Sequence, residues 1–161
     1  MILEVELDGL FLIRQSTGID MNISALNNTL SSMTNSYKYL FLRSLMNLLK
    51  ESYYKKDTFS YKEINIEMLA ISWRISLFFR LDFGSQDQIS KYLKLDLEKN
   101  SNHDKLIELT DKKKIKECLE KLDYNNPRGI LKFVPQRILR GFYSNEVYGL
   151  PDHKVDNKIL E

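Results

Sequence analysis

FSYKEINIEMLAISWRISLFFRLDFGSQDQ, residues Phe59 to Gln88, is the stretch whose reading decides the fold. Ser60 and Glu63 stand three residues apart, the spacing at which each side chain satisfies the other's backbone N–H at a helix start. Phe59 and Ile64 flank them in the positions where a hydrophobic staple packs. Ile64, Met68, Ile71, Ile75 and Phe78 form one apolar stripe, and Leu69, Trp73 and Leu77 a second. Only Glu63, Glu67 and Arg74 draw a narrow polar line, so neighbours should cover this helix on most sides. Its end is expected near residues 80–83, with Gly84 in the left-handed position beyond it. Ser85 and Gln88 repeat the box spacing and open another helix, with Ile89, Tyr92, Leu93 and Leu97 on its apolar side.

Upstream, Tyr37, Leu40, Phe41, Leu45, Leu48, Leu49 and Tyr53 fall at three- and four-residue spacings and give one broad apolar face. Asn35 or Ser36 suits its N-cap, and Lys55-Lys56-Asp57 makes the polar turn that ends it. The first twenty residues read differently. Leu3, Val5 and Leu7 alternate with Glu4 and Glu6 in a short strand pattern closed by Asp8-Gly9, and Leu10–Ile13 is an apolar patch. No strand partner is evident later in the chain, so Met21 reads as the natural start and residues 1–20 as an extension.

Downstream, Lys105–Leu109 and Ile115–Leu122 read as amphipathic helical pieces joined by the solvated run Thr110–Lys114. Asn126-Pro127 starts a short helix that should stop at Pro135, with Val134 turned out of the α region by the proline after it. Residues 135–143 form one more helix, and residues 149–161 read as a linker or frayed tail. The expected fold is all-α: a single-domain bundle of six or seven helices over residues 21–148.

A chain of 161 residues, 43% apolar and 29% charged, has room for one real core. No apolar run approaches the ~20 residues of a bilayer span, and Leu10–Ile13 is too short for a signal peptide. A single cysteine excludes an internal disulfide, and two histidines cannot build an ordinary Cys/His zinc cage. A cytoplasmic setting without a cofactor or metal follows, with Cys118 as a core or boundary residue. Residues 1–20 carry a balance of −3 within a total of +2, which leaves the remainder mildly basic.

The basic segment near the C-terminus is the best candidate site. Arg128, Lys132, Arg137 and Arg140 occur with no acidic residue between Tyr124 and Asn145, and Phe133, Phe142 and Tyr143 are interleaved among them. Arginines beside aromatics suit phosphate contacts and base stacking on nucleic acid. The competing reading makes these cations only the outer face of two helices whose Ile130, Leu131, Ile138 and Leu139 pack the core. A second, polar site would use Arg74, Gln86, Asp87 and Gln88. A buried Arg74 would hold Glu67, Asp82, Asp87 or a ligand anion, while Asp87 also suits the positive end of a helix dipole. His103-Asp104 and Asp152-His153 are neighbours on polar loops with no nucleophile or metal held against them, so no catalytic residue is assigned. Tyr37, Tyr39, Tyr53, Tyr54 and Tyr61 offer aromatic surface to a partner protein instead.

Three blocks carry a family resemblance: Ser36-Tyr37-Lys38-Tyr39; Ser72-Trp73 with Phe83-Gly84-Ser85-Gln86-Asp87-Gln88; and Val134-Pro135-Gln136-Arg137-Ile138-Leu139-Arg140-Gly141-Phe142. In this order they resemble the N-terminal helical region of bacterial HNH endonuclease-like proteins, over roughly residues 21–148. In that family the ββα metal module follows this region, and neither His103 nor His153 matches it. The resemblance therefore implies a non-catalytic helical domain in a host-defence or mobile-element setting. Such a domain would contact DNA or regulate a nuclease module, and this chain alone would not cleave DNA. The alternative is a protein-interaction or dimerisation module that binds no nucleic acid.

Overall fold

The computed structural model of the protein describes residues 2–5, 10–14, 23–31, 36–81, 83, 89–90, 92–93, 109–121, 131, 134–142 and 147–155. The described residues are mostly helical. The described α-helices are α1 (Ile23–Ser31), α2 (Tyr37–Glu51), α3 (Tyr61–Trp73), α4 (Lys112–Glu120) and α5 (Val134–Phe142). A small three-stranded antiparallel sheet joins them, β1 (Ile2–Val5), β2 (Leu10–Arg14) and β3 (Thr58–Ser60), in the order β1-β2-β3.

The sheet supplies the strand partners that no sequence pattern announces. Val5 pairs with Phe11 across the first hairpin, and Phe11 pairs with Phe59 across the second ladder. Three residues are too few for an alternation to show, yet β3 runs straight into α3 and holds the cap of that helix. Ser60 Oγ accepts from Glu63 N at 3.2 Å, and Glu63 Oε2 accepts from Ser60 N at 2.8 Å. The capping box is therefore complete. Phe59 and Ile64, the staple pair, are both buried.

Helix α3 is the centre of the packing. Ile64, Met68, Leu69 and Trp73 lie in one core with Leu40, Phe41 and Leu45 of α2, Ile115 and Leu119 of α4, and Ile138 and Leu139 of α5. Ile89 and Leu93 complete it from a helical segment downstream of α3. Small hydroxyls sit among these large groups: Ser72 Oγ donates to Met68 O, and the hydroxyls of Ser76 and Ser90 lie 3.2 Å apart in the interior. These three buried hydroxyls thus keep partners, which the interior requires.

Three expectations need correction. The central helix ends earlier than its periodicity suggests: Arg74–Phe78 is a π turn, and Phe79 N donates to Arg74 O five residues back. Arg80 then takes the left-handed conformation (φ 52°) four residues before Gly84, and Gly84 itself lies outside the described residues. Of the two apolar stripes, Leu69, Trp73 and Leu77 are buried, whereas the other surfaces progressively through Ile71 and Ile75 to an exposed Phe78. Val134 opens α5 rather than leaving the helical region, because Pro135 falls in the first turn, where its missing N–H removes no intrahelical bond. The helix start at Asn126-Pro127 lies outside the described residues.

If residues 1–20 contribute to stability, removing them leaves the backbone of β3 without its ladder beside the capped start of α3. A chain beginning at Met21 is expected to melt several degrees below the full chain, read by far-UV circular dichroism. An unchanged midpoint would mark those residues as dispensable.

Candidate functional site

Of the candidate phosphate contacts, Arg137 and Arg140 are described, while Arg128 and Lys132 lie outside the described residues. Their positions on α5, three residues apart, put both side chains on one face, and both reach the same carboxylate. Arg137 Nε lies 3.0 Å from Asp152 Oδ2, and Arg140 Nε lies 3.1 Å from Asp152 Oδ1. Arg140 also donates to Val147 O at 3.1 Å and to Leu150 O. Its guanidinium is therefore committed to holding residues 147–152 against α5. Arg137 keeps more of its surface, with its side chain 53% exposed. Lys38 of α2 stands near enough for Arg137 to act on it: burial first, and then the Arg137 charge, hold the Lys38 ammonium below the usual lysine range. No reading of the sequence singled out Lys38 as part of this basic group.

Of the second set only Arg74 is described. Arg74 is exposed, with its guanidinium carbon 6.0 Å from the centre of the Phe78 ring. It is therefore not the buried arginine expected, and among the described residues it makes no ion pair with Glu67; Asp82 lies outside them. Gln86, Asp87 and Gln88 lie outside the described residues.

The buried charge is Glu67 instead. Its side chain is 0% exposed, and one of its partners, Lys112, comes from the run that reads as solvated surface. Lys112 Nζ lies 2.5 Å from Glu67 Oε1, Lys116 Nζ lies 2.6 Å from Glu67 Oε2, and Asn47 Nδ2 donates to Oε1 at 2.7 Å. Glu51 closes the ring on the outer side, 2.9 Å from Lys112 and 2.7 Å from Lys116. Asp111 caps α4, its Oδ1 accepting from Lys113 N at 2.8 Å, so the lysine run is a helix start and not a linker. Burial opposes the Glu51 charge, but hydrogen bonds from Lys116 and Lys112 outweigh it and hold the carboxyl below its ordinary value. For Lys116 burial likewise opposes the charge, and its bonds to Glu51 and Glu67 carry it above the usual lysine value.

A third group is apolar. Phe78, Phe79 and Leu81 are each more than half exposed at the end of α3, and the two rings meet edge to face with centroids 5.1 Å apart. Arg74 and Arg80 frame them, and among the described residues neither arginine makes an ion pair. Cys118 is half-buried on α4, and burial pushes its thiol up despite the nearby Lys121 charge, which leaves it a weak nucleophile. Of the five tyrosines offered as partner surface, Tyr39, Tyr53 and Tyr54 are exposed, whereas Tyr37 and Tyr61 belong to the core. Among the described residues no cluster of histidine, cysteine and carboxylate side chains could hold a metal, and no helix is long and apolar enough to cross a membrane. No protein family, curated protein or solved structure matches the chain.

Replacing Lys112 and Lys116 together with alanine strands a fully buried carboxylate with Asn47 alone. The expected loss is about 3 kcal/mol, the lower end for breaking a buried pair, because Lys112 is itself 42% exposed. Denaturant melts across pH also separate the groups. Glu51, held low, contributes stability above its unfolded value that disappears as pH falls through the folded one; Lys116, held high, contributes below the ordinary lysine value and is lost as pH rises past the folded one. The double variant should lack both dependences, and a variant as stable as the parent at neutral pH would refute a structural role for the ring.

Proposed function

We propose that this chain is a single-domain helical bundle that acts by docking onto a partner protein, without catalysis of its own. Its contact surface is the apolar knuckle ending α3. In the setting implied by the resemblance to HNH endonuclease-like proteins, the partner is the nuclease module, which the domain positions or gates. One observation carries this reading: Phe78, Phe79 and Leu81 stand more than half in solvent within four residues of chain, framed by Arg74 and Arg80. Aromatic and arginine side chains are the groups that interfaces enrich and that dominate binding energy when covered. The core does not need them there, since it is closed at the same level by Trp73 and Leu77.

The knuckle is also suited to this use by its backbone. The π turn and the left-handed Arg80 stop the helix abruptly, and Leu81 N closes the end by donating to Ile75 O at 3.0 Å. Side chains fixed on such a closed turn lose less freedom on docking than those on a loose loop. Phe78→Ser with Phe79→Ser should abolish complex formation with an HNH module of the resembled family, measured by light scattering of the mixture. Its melting temperature should stay within a few degrees of the parent. A parent chain that forms no complex with such a module would sink the nuclease-partner reading.

DNA contact is the second reading, supported by an Arg137 that still faces solvent on a helix packed against α2. Contact with phosphates would give a steep loss of DNA affinity with salt, and Arg137→Ala would flatten that slope by about one unit. A salt slope identical in Arg137→Ala and parent would exclude Arg137 from such contact.

A further inference from the structure

Helix α2 buries one face and presents another whose composition the core does not explain. Tyr39, Arg43, Met46 and Lys50 are its exposed residues along one line, and Tyr53, also exposed, follows just past the helix end. The steps between them are four, three, four and three, a mean of 3.5, which is the repeat that keeps a helix seam facing a second helix. Two kinds of residue alternate on it. Tyr39, Met46 and Tyr53 recur every seven residues as large, adaptable apolar groups, and all three are exposed, Tyr53 by 82%. Arg43 and Lys50 recur every seven residues between them, and among the described residues neither makes an ion pair. By the rise of an α-helix the line from Tyr39 to Lys50 runs about 17 Å.

We propose that this line is a docking seam for an acidic amphipathic helix of a partner protein. The partner's apolar side chains would cover Tyr39, Met46 and Tyr53, and its carboxylates would meet Arg43 and Lys50. The charges choose the occupant. A second copy of this chain would bring to the seam the same two cations and no carboxylate, because Glu51 lies off the line and is committed to Lys112 and Lys116. A nucleic acid would satisfy the cations but would leave Met46, at the middle of the line, facing polar sugar and phosphate. A helix bearing carboxylates at seven-residue intervals satisfies both kinds of position at once. The line uses none of the knuckle residues Phe78, Phe79 and Leu81, so the two readings are tested by different substitutions.

Two synthetic helical peptides of three heptads serve as probes, each with leucines on one face; the first carries glutamates at the positions opposite the cations and the second lysines. Fluorescence anisotropy with the full chain should show binding of the glutamate peptide only. Arg43→Glu with Lys50→Glu should weaken that binding by roughly a hundredfold, since like charges meet across the seam, and should restore binding of the lysine peptide. Phe78→Ser with Phe79→Ser should leave both results unchanged. The charge-reversed variant must melt as the parent does, because both side chains are exposed and make no ion pair among the described residues. Failure of the glutamate peptide to bind, equal binding of both peptides, self-association that depends on Tyr39 and Met46, or tighter binding of a double-stranded oligonucleotide through Arg43 and Lys50 would each overturn the proposal.

Discussion

A carboxylate in the middle of an apolar core is the constraint around which this protein is arranged. Taking Glu67 out of water costs several kcal/mol, and only closely placed, correctly oriented partners offset that. Here those partners come from both sides, an amide from α2 and two ammonium groups from α4. Apolar contacts among α2, α3 and α4 would tolerate small slides and rotations at little cost. The carboxylate does not, because moving either neighbour by a turn would leave a buried charge alone. The lysines also sit unfavourably at the positive end of the α4 dipole. Asp111 as N-cap and the two glutamates offset this, so the start of α4 is stable only where it docks.

This explains which parts of the fold were legible in the sequence. A capping box is a local signal, four residues long, and Ser60 with Glu63 reads directly. The apolar face of α2 reads equally well, since Tyr37, Leu40, Phe41, Leu45, Leu48 and Leu49 are all buried. The partners of Glu67 are not local. Forty-five residues separate it from Lys112, and a lysine run gives the same pattern whether it faces water or reaches into a core. The polar line Glu63, Glu67, Arg74 therefore read as a narrow edge whose buried charge was the arginine, with Glu67 among its possible partners. In the structure the charge that is buried is the acid, and the arginine is outside. The sheet was hidden for a related reason: β3 has three residues, and its pairing to β2 spans more than forty positions of chain.

The basic end of the chain shows the same limit in the candidate site. Arginines near aromatics are a compositional signal, and composition cannot tell a free guanidinium from a committed one. Arg140 spends its donors on Asp152, Val147 and Leu150, a local tie that closes the turn after α5. Arg137 shares the carboxylate but lies more in solvent, where one ion pair contributes little to stability and screens readily. Two residues of identical type and neighbouring position thus divide into one that holds the fold and one with capacity for another anion. Asp152, read from sequence only as the neighbour of His153, is what separates them.

Helix ends carry the rest of the functional reading. A left-handed residue after a helix is ordinarily glycine or asparagine, because a side chain there adds steric cost. This chain has Tyr53 and Tyr54 after α2, at φ 53° and 59°, and Arg80 after the π turn. Bulky residues in this region cost of order 1 kcal/mol or more each and persist only where surroundings fix them. Around the tyrosines the backbone does so, with Tyr54 N donating to Leu49 O at 2.8 Å and Lys55 N to Ser52 O at 3.1 Å. Folding alone would be served better by glycine at all three positions. What the larger residues achieve is to place Tyr53 at the end of the α2 line and to hold Arg80 between Phe79 and Leu81. Both strained turns lie next to the exposed aromatic surfaces, so the backbone cost and the exposed apolar area fall in the same places. It is on this coincidence of backbone cost and exposed apolar area that the two docking proposals rest.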